Sequence, residues 1–284
     1  MNADIRDTVA LDKIFNTFKP EAVIHFAGLK AVGESVANPL KYYEVNVGGS
    51  VSLLSAMSKA ECNNIVFSSS ATVYGKPKYL PYDEEHPTHP VNPYGRTKLM
   101  IENIIHDWIK VDKKRKGTIL RYFNPVGAHE TGQIGEEPIG TPNNIMPYIA
   151  QVAGGRCEHL NIFGNDYETA DGTGARDYIH VVDLALAHIG ALNQSKLDKF
   201  EILNIGGGKS TTVLELIKSF EETSGVTIKF KYSPRRDGDL AAFWANSSKA
   251  LEKMGWQPER SIKKICEDTW RWQKHNPIGY GKNK

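Results

Sequence analysis

Cysteine is scarce: the 284 residues hold three, Cys62, Cys157 and Cys266. An odd count at wide spacing fits reduced thiols better than a disulfide framework or a thiolate metal site. His86, His89 and His106 have no ligand spacing with cysteine or carboxylates, so no metal is expected. No apolar stretch approaches the length of a membrane span, and the opening residues, with Asp4, Arg6 and Asp7, do not make a signal peptide. A charge excess of one sign is missing too. The 35 Lys and Arg against 33 Asp and Glu leave a net charge of +2, scattered along the chain, which implies no nucleic-acid partner. With 40% hydrophobic residues, the chain is expected to be soluble and cytoplasmic, with a core built as one large or two smaller domains.

Two stretches carry chemistry. Asn64-Ile65-Val66-Phe67 reads as a buried strand that runs into the hydroxyl-rich Ser68-Ser69-Ser70-Ala71-Thr72-Val73-Tyr74-Gly75. Asn92-Pro93-Tyr94-Gly95-Arg96-Thr97-Lys98 reads as a helix start, Asn92 capping and Pro93 at the first helical position, where its missing N–H is not needed. Tyr94 and Lys98 then lie one turn apart on one helix face. A phenol beside an ammonium can serve as a general base, because the positive charge favours the phenolate. Ser70, at the strand end, could hydrogen-bond the same substrate oxygen. Tyr-x-x-x-Lys alone is common on helices where the tyrosine packs and the lysine is solvated, so the strand-end serine is needed to strengthen the reading.

Around these stretches the pattern alternates. A helix over Thr8–Phe18 precedes an apolar strand, Ala22-Val23-Ile24-His25-Phe26; a helix led by Asn38-Pro39 runs to Lys59; the Tyr94 helix runs to Lys110; and Thr118–Phe123 is the next strand. Strands separated by such helices predict right-handed βαβ units and a parallel sheet. Gly206-Gly207-Gly208-Lys209-Ser210 sits between a strand, Phe200–Ile205, and a helix beginning at Thr211. The Walker pattern needs a glycine where Leu203 stands, so Ser210 is read as a helix cap rather than part of a phosphate loop. The last helix, Ser261–Lys274, carries Trp270 and Trp272 as packing residues.

The Ser70, Tyr94 and Lys98 set is similar to the triad of the extended short-chain dehydrogenase/reductase superfamily. Within it the chain resembles the UDP-glucose 4-epimerase (UDP-galactose 4-epimerase) family. Besides the two stretches above, the resemblance rests on His25-Phe26-Ala27-Gly28-Leu29-Lys30-Ala31-Val32-Gly33-Glu34-Ser35 and Arg121-Tyr122-Phe123-Asn124-Pro125-Val126-Gly127-Ala128. It continues through Pro142-Asn143-Asn144-Ile145-Met146-Pro147-Tyr148, Gly172-Thr173-Gly174-Ala175-Arg176-Asp177-Tyr178-Ile179-His180 and Pro234-Arg235-Arg236-Asp237-Gly238-Asp239-Leu240.

The resemblance implies an α/β fold: an N-terminally incomplete, NAD-binding Rossmann-like parallel sheet over residues 1–124, and a smaller α/β substrate domain over 125–284 with segments returning to the first. It implies Tyr94 as base, with Lys98 holding the nicotinamide ribose and lowering the tyrosine pKa, and Ser70 sharing the proton. It places NAD on Asp4, Ile5, Phe26, Ala27, Gly28, Leu29, Lys30, Tyr94, Lys98 and Phe123. UDP-glucose and UDP-galactose would be held by Ser70, Asn124, Asn144, Ile145, Phe163, Arg176, Arg236, Asp239 and Phe243, in a homodimer formed through the helices starting near Asn38 and Asn92. Arginine suits phosphate because its fork makes paired hydrogen bonds. A 4,6-dehydratase would need an acid pair after the strand-end serine, where this chain has Ala71 and Thr72. Phe243 is expected to gate the sugar 2-position against N-acetyl groups. By the resemblance, the family's glycine-rich cofactor turn is expected upstream of Asp4, among about fifty residues absent from this sequence, more than a βαβ unit of roughly thirty. A catalytically silent UDP-sugar-binding or dimerising chain is therefore the competing expectation.

Overall fold

The computed structural model describes residues 2–281 except 139, 141, 143, 194–196 and 237. Asn143 and Asp237, quoted in the motifs above, lie outside the described residues. Helix α1 (Thr8–Phe18) begins where the Asp7 side chain accepts a hydrogen bond from the Ala10 amide, and ends on Lys19 in the left-handed region. Strand β1 (Ala22–His25) follows, and the chain then turns through α2 (Val32–Ala37) and α3 (Pro39–Tyr42). A π-helical turn, Tyr43–Gly48, joins α3 to α4 (Gly49–Lys59), so the helix expected from Pro39 to Lys59 carries one widened turn in its middle. Strand β2 (Asn64–Ser70), α5 (Pro93–Lys110) and β3 (Lys116–Tyr122) come next.

Two units divide the chain. One comprises Met1–Tyr122, Ala187–Ile205 and Ser248–Trp256; the other comprises Phe123–Leu186, Gly206–Ser247 and Gln257–Lys284. In the first unit, β7 (Phe200–Ile205) completes a parallel sheet of order β1-β2-β3-β7. The chain is thus α/β with a Rossmann-like parallel core. Its register aligns His25, Phe67, Ile119 and Ile202 in one row, and Ser70, Tyr122 and Ile205 in another. Leu53 and Met57 of α4 and Ile101 and Ile105 of α5 bury one sheet face with Ile65, Phe67 and Ile119. Each such side chain contributes about 1.5–3 kcal/mol on burial.

The second unit has β4 (Asn124–Val126), α6 (Ile145–Ala153), β5 (Leu160–Phe163), β6 (Ala175–His180), β8 (Ser210–Thr212), α8 (Val213–Ser224), β9 (Phe230–Ser233), β10 (Ala242–Phe243) and α10 (Ile262–His275). Strands β10, β6 and β4 form one sheet, with β8 antiparallel to β6; β5 pairs with β9. Met146, Ile149, Leu216, Phe220 and Ile265 make the core. The chain also forms helices α7 (Val181–Leu192) and α9 (Ser248–Met254) and a 3-10 turn, Ala71–Val73, after β2.

Ser210 is not the helix cap expected of it. It lies in β8, and Thr212 caps α8 through a reciprocal bond with Glu215. The glycine-rich stretch before it does bind an anion, but the anion is the chain's own. The Gly207 and Gly208 amides donate to Asp177 at 2.6 and 3.1 Å, and a Cβ on Gly206 would stand 2.6 Å from the same carboxylate.

Ile119 is fully buried in the first core, whereas Ile134 is 64% exposed. Ile119→Ala is expected to lower stability by about 2–5 kcal/mol, as large-to-small core changes do. Ile134→Ala is expected to stay within about 0.5 kcal/mol. Urea midpoints at unchanged slope check both.

Candidate active site

In the first unit the site is built at the carboxyl ends of β1, β2 and β3, where open α/β sheets hold ligands. Asn92 caps α5 by accepting from the Gly95 amide at 2.8 Å, with Pro93 in the first turn. This start turns Tyr94 and Lys98 toward the sheet, leaving them 8% and 5% exposed. Ser70 ends β2, accepts from the Thr72 amide and hydroxyl, and lies near enough to Tyr94 to act on its phenol. Ser70, Tyr94 and Lys98 therefore converge.

Their electrostatics differ from the expectation in one respect. Burial holds the Tyr94 phenol above its ordinary pKa, with nearby Tyr122 adding to the rise and the Ser70 hydroxyl opposing it. Lys98 does not offset this. Its ammonium stands 5.8 Å from the Tyr94 ring centroid and donates instead to the Ser68 carbonyl at 2.8 Å. Desolvation pushes the Lys98 pKa down to about 8, against the pull of Glu102. Among the described residues Lys98 forms no ion pair with a carboxylate.

Phe26, Ala27, Gly28 and Lys30 are exposed in the loop after β1, and Leu29 is half-buried. Asn46, which the sequence reading missed, fixes this loop. Its Oδ1 accepts from the Leu29 amide at 2.7 Å, and its Nδ2 donates to the Leu29 carbonyl at 3.0 Å and to Thr97 Oγ1 at 3.1 Å. The π-helical turn presents Asn46 to the loop, and such turns gather at functional sites. Gly28 has φ +153°, and a Cβ there would meet Asn46 Oδ1 at 3.0 Å. Tyr122, the register partner of Ser70, was missed as well. Neither had a signal in the sequence, because both depend on pairings distant in the chain. Asp4 is held by Arg6 at 2.8 Å, which pulls its carboxyl down to about 2, and Ile5 packs against Gly49.

In the second unit the predicted residues form a chain of contacts. Phe123 and Phe243 rings lie 6.1 Å apart, and the Arg176 guanidinium stacks 4.8 Å from Phe243. Asp239 stands 3.6 Å from Arg176 and accepts from Arg236 at 3.0 Å. Arg236 in turn covers the Phe163 ring at 4.7 Å. Asn124 donates to the Asp177 carbonyl at 2.9 Å, next to Arg176. Asn144 and Ile145 are engaged differently: Asn144 donates to Glu136, and Ile145 opens α6 and packs on the Phe220 core. Among the described residues no group of three or more His, Cys, Asp or Glu is placed to hold a metal, and no helix is long and apolar enough to cross a membrane.

A family model described as GDP-mannose 4,6 dehydratase matches residues 1–269. UDP-glucose 4-epimerase of Homo sapiens is 54% identical over 280 residues, covering 98% of this chain and 80% of that protein. UDP-glucose 4-epimerase 2 of Arabidopsis thaliana is 53% identical over 281 residues, with the same coverage of 98% and 80%. The chain belongs to the UDP-glucose 4-epimerase family. Among solved structures, the UDP-glucose 4-epimerase of Bifidobacterium longum in complex with NAD+ and UDP superposes with a TM-score of 0.94 at 46% identity, over 99% of this chain and 84% of that one. The epimerase of Stenotrophomonas maltophila with bound NAD and formylated UDP-arabinopyranose gives 0.94 at 47% identity, over 97% and 82%.

Two features of this epimerase-family chain fit the nicotinamide end of such a cofactor. The Lys98 ammonium is buried with a backbone carbonyl rather than a carboxylate as its hydrogen-bond partner, and Gly28, at φ +153°, carries no Cβ that would crowd Asn46 in the β1 loop. Burial of Lys98 is a cost to the fold. Because its folded pKa of about 8 lies below the ordinary 10.5, the unfolded state holds more protons between those values, and stability rises with pH across that window. Lys98→Met is expected to melt higher than the wild type at pH 7. The gap should narrow as pH rises from 8 to 10.5, as differential scanning calorimetry of the two proteins at matched pH would show.

Proposed function

We propose that this chain interconverts UDP-glucose and UDP-galactose through oxidation and re-reduction at sugar C4. The observation that carries the reading is the convergence of Tyr94, Ser70 and the buried Lys98 at the sheet's carboxyl end in a chain of the epimerase family. The epimerase of Bifidobacterium longum binds NAD+ and UDP, and that of Thermotoga maritima binds UDP-glucose. Here NAD would be held by Phe26, Ala27, Gly28, Leu29, Lys30, Tyr94, Lys98 and Phe123, with Asp4 and Ile5 toward the adenine. When bound, it supplies a hydride acceptor that also returns the hydride.

Tyr94 takes the proton from the sugar 4-hydroxyl and later gives it back. Its raised pKa means that the phenolate must be favoured by charge brought to the site, and Lys98 is positioned one turn away to contribute. Ser70 bridges the phenol and the sugar oxygen. Arg176 and Arg236 bind the diphosphate, Asp239 orients both, and Asn124, Asn144, Ile145 and Phe163 hold the rest of the nucleotide sugar. Ala71 and Thr72 supply no acid pair, which favours epimerisation over 4,6-elimination despite the dehydratase name of the matching family model. We further infer a cytoplasmic homodimer. The three free cysteines fit that compartment, and Leu40, Val51 and Met100 are exposed apolar side chains on α3, α4 and α5 that a second copy would cover.

The test is conversion of UDP-galactose to UDP-glucose by the purified chain with added NAD. Binding of NAD and UDP without conversion overturns the reading. Tyr94→Phe is expected to lower kcat between about a hundred- and ten-thousand-fold, the range for a lost general base, while calorimetric binding of UDP is retained. Phe243→Ala, which removes the ring stacked on Arg176, is expected to raise kcat/KM for UDP-N-acetylglucosamine relative to UDP-glucose. An unchanged ratio would remove Phe243 from the specificity argument.

A further inference from the structure

Beneath the Ser70, Tyr94 and Lys98 group lies a buried charge network that the mechanism above does not use. Glu102 is on α5, one turn after Lys98 and on the same face. Its carboxylate accepts from the Ser69 hydroxyl on β2 and from Arg121 on β3, with Arg121 Nη2 at 2.6 Å and Nε at 3.1 and 3.2 Å from its two oxygens. Arg121 and Glu102 are 5% and 3% exposed. Ser69 and Arg121 are register partners in the parallel sheet, so both side chains leave the same sheet face toward α5. On its other side Arg121 stacks 4.9 Å from the Tyr74 ring, and the Tyr74 hydroxyl donates to Asn204 on β7 at 2.6 Å. The network thus joins α5 to β2, β3 and β7.

Its place relative to the reacting group matters. Lys98 donates to the carbonyl of Ser68, Glu102 accepts from the side chain of Ser69, and Ser70 is the next residue. Two bonds from one face of α5 therefore grip two successive residues of β2 and leave the third at a set distance from Tyr94. We propose that Glu102, held by Arg121, is a positioning residue that fixes Ser70 and Lys98 against Tyr94 and supplies the negative charge that keeps the Lys98 ammonium protonated. A buried ion pair is weak evidence of stabilisation, since well-packed apolar residues often replace it without loss. A pair retained one turn from a buried ammonium that has no ion-pair partner of its own among the described residues has another use. The groups facing Lys98 are Tyr94 and Glu102 from α5, Phe67 and the Ser68 carbonyl from β2, and His25 from β1, whose own pKa burial and Lys98 push down to about 3. Glu102 is the negative charge that acts on Lys98.

The proposal rests on the epimerase reading for what Lys98 serves, but its test has one arm that does not. The Lys98 13Cε resonance, assigned by its loss in Lys98→Met, is titrated in the chain without cofactor for the wild type, Glu102→Gln and the apolar double variant Glu102→Leu/Arg121→Met. The double variant keeps the experiment decisive if the single change fails to fold. In both, the Lys98 midpoint is expected to fall by about one unit, the shift a lost neighbouring charge produces. In turnover assays kcat is expected to fall at least about tenfold with KM within about twofold, and the alkaline limb to move down with the Lys98 midpoint. A double variant that folds with wild-type Lys98 titration and wild-type kcat overturns the proposal and leaves the pair as part of the core. A wild type without turnover but with the expected Lys98 shifts counts against the epimerase reading and supports the electrostatic coupling.

Discussion

A charged amine enclosed by protein constrains the first unit more than any other single group. Lys98 lies on the Phe67 ring at 4.8 Å and has the Ser68 carbonyl as its hydrogen-bond acceptor. An ammonium in such surroundings is held by what encloses it, because desolvation opposes the charge. The enclosure comes from the core of Ile65, Phe67, Ile101, Ile105 and Ile119, which seats α5 on β2 and β3. It also comes from the helix start at Asn92, which decides that Lys98 points inward. The free energy of a well-packed apolar layer is thus used to keep one unfavourable charge in a fixed place, and chemistry needs a fixed charge more than a stable one.

The second unit sets a buried carboxylate against backbone amides. Asp177 accepts from Gly207, Gly208 and Ala245, and burial pushes its pKa up to about 6. Three amide donors hold it, with no ion-pair partner among the described residues. In doing so Asp177 ties β6, which carries Arg176, to the segment after β10, which carries Phe243, while its own carbonyl receives Asn124. The residues proposed to face the nucleotide sugar are spread over the sequence from Asn124 to Phe243, and this carboxylate gathers several of their strands.

Much of the local structure was legible. Asn92-Pro93 announced α5, the helices read over Thr8–Phe18 and Ser261–Lys274 became α1 and α10, and the apolar runs at Ala22, Ile65 and Phe200 became strands of the parallel sheet. Each is a short-range signal, a cap or a run of apolar residues. Ser210 was misread because a hydroxyl two residues before Thr212 looks equally able to cap, and only the pairing of β8 with β6 separates them. The glycines at 206–208 have the strand-to-helix setting of a phosphate loop without its Walker pattern, and nothing nearby in the chain pointed to Asp177 as the group they enclose.

The spacing of Tyr94 and Lys98, the serine at the end of β2 and the family resemblance are properties of the sequence, because helix periodicity and strand alternation are local. Tertiary structure alone decided that Lys98 meets a carbonyl rather than a carboxylate, that Tyr94 is lifted rather than lowered in pKa, and that Asn46, Tyr122, Glu102 and Arg121 belong to the same neighbourhood. Those outcomes depend on sheet register and on burial, which bring together residues separated by tens of positions, and a dielectric environment exists only after the chain has closed around it.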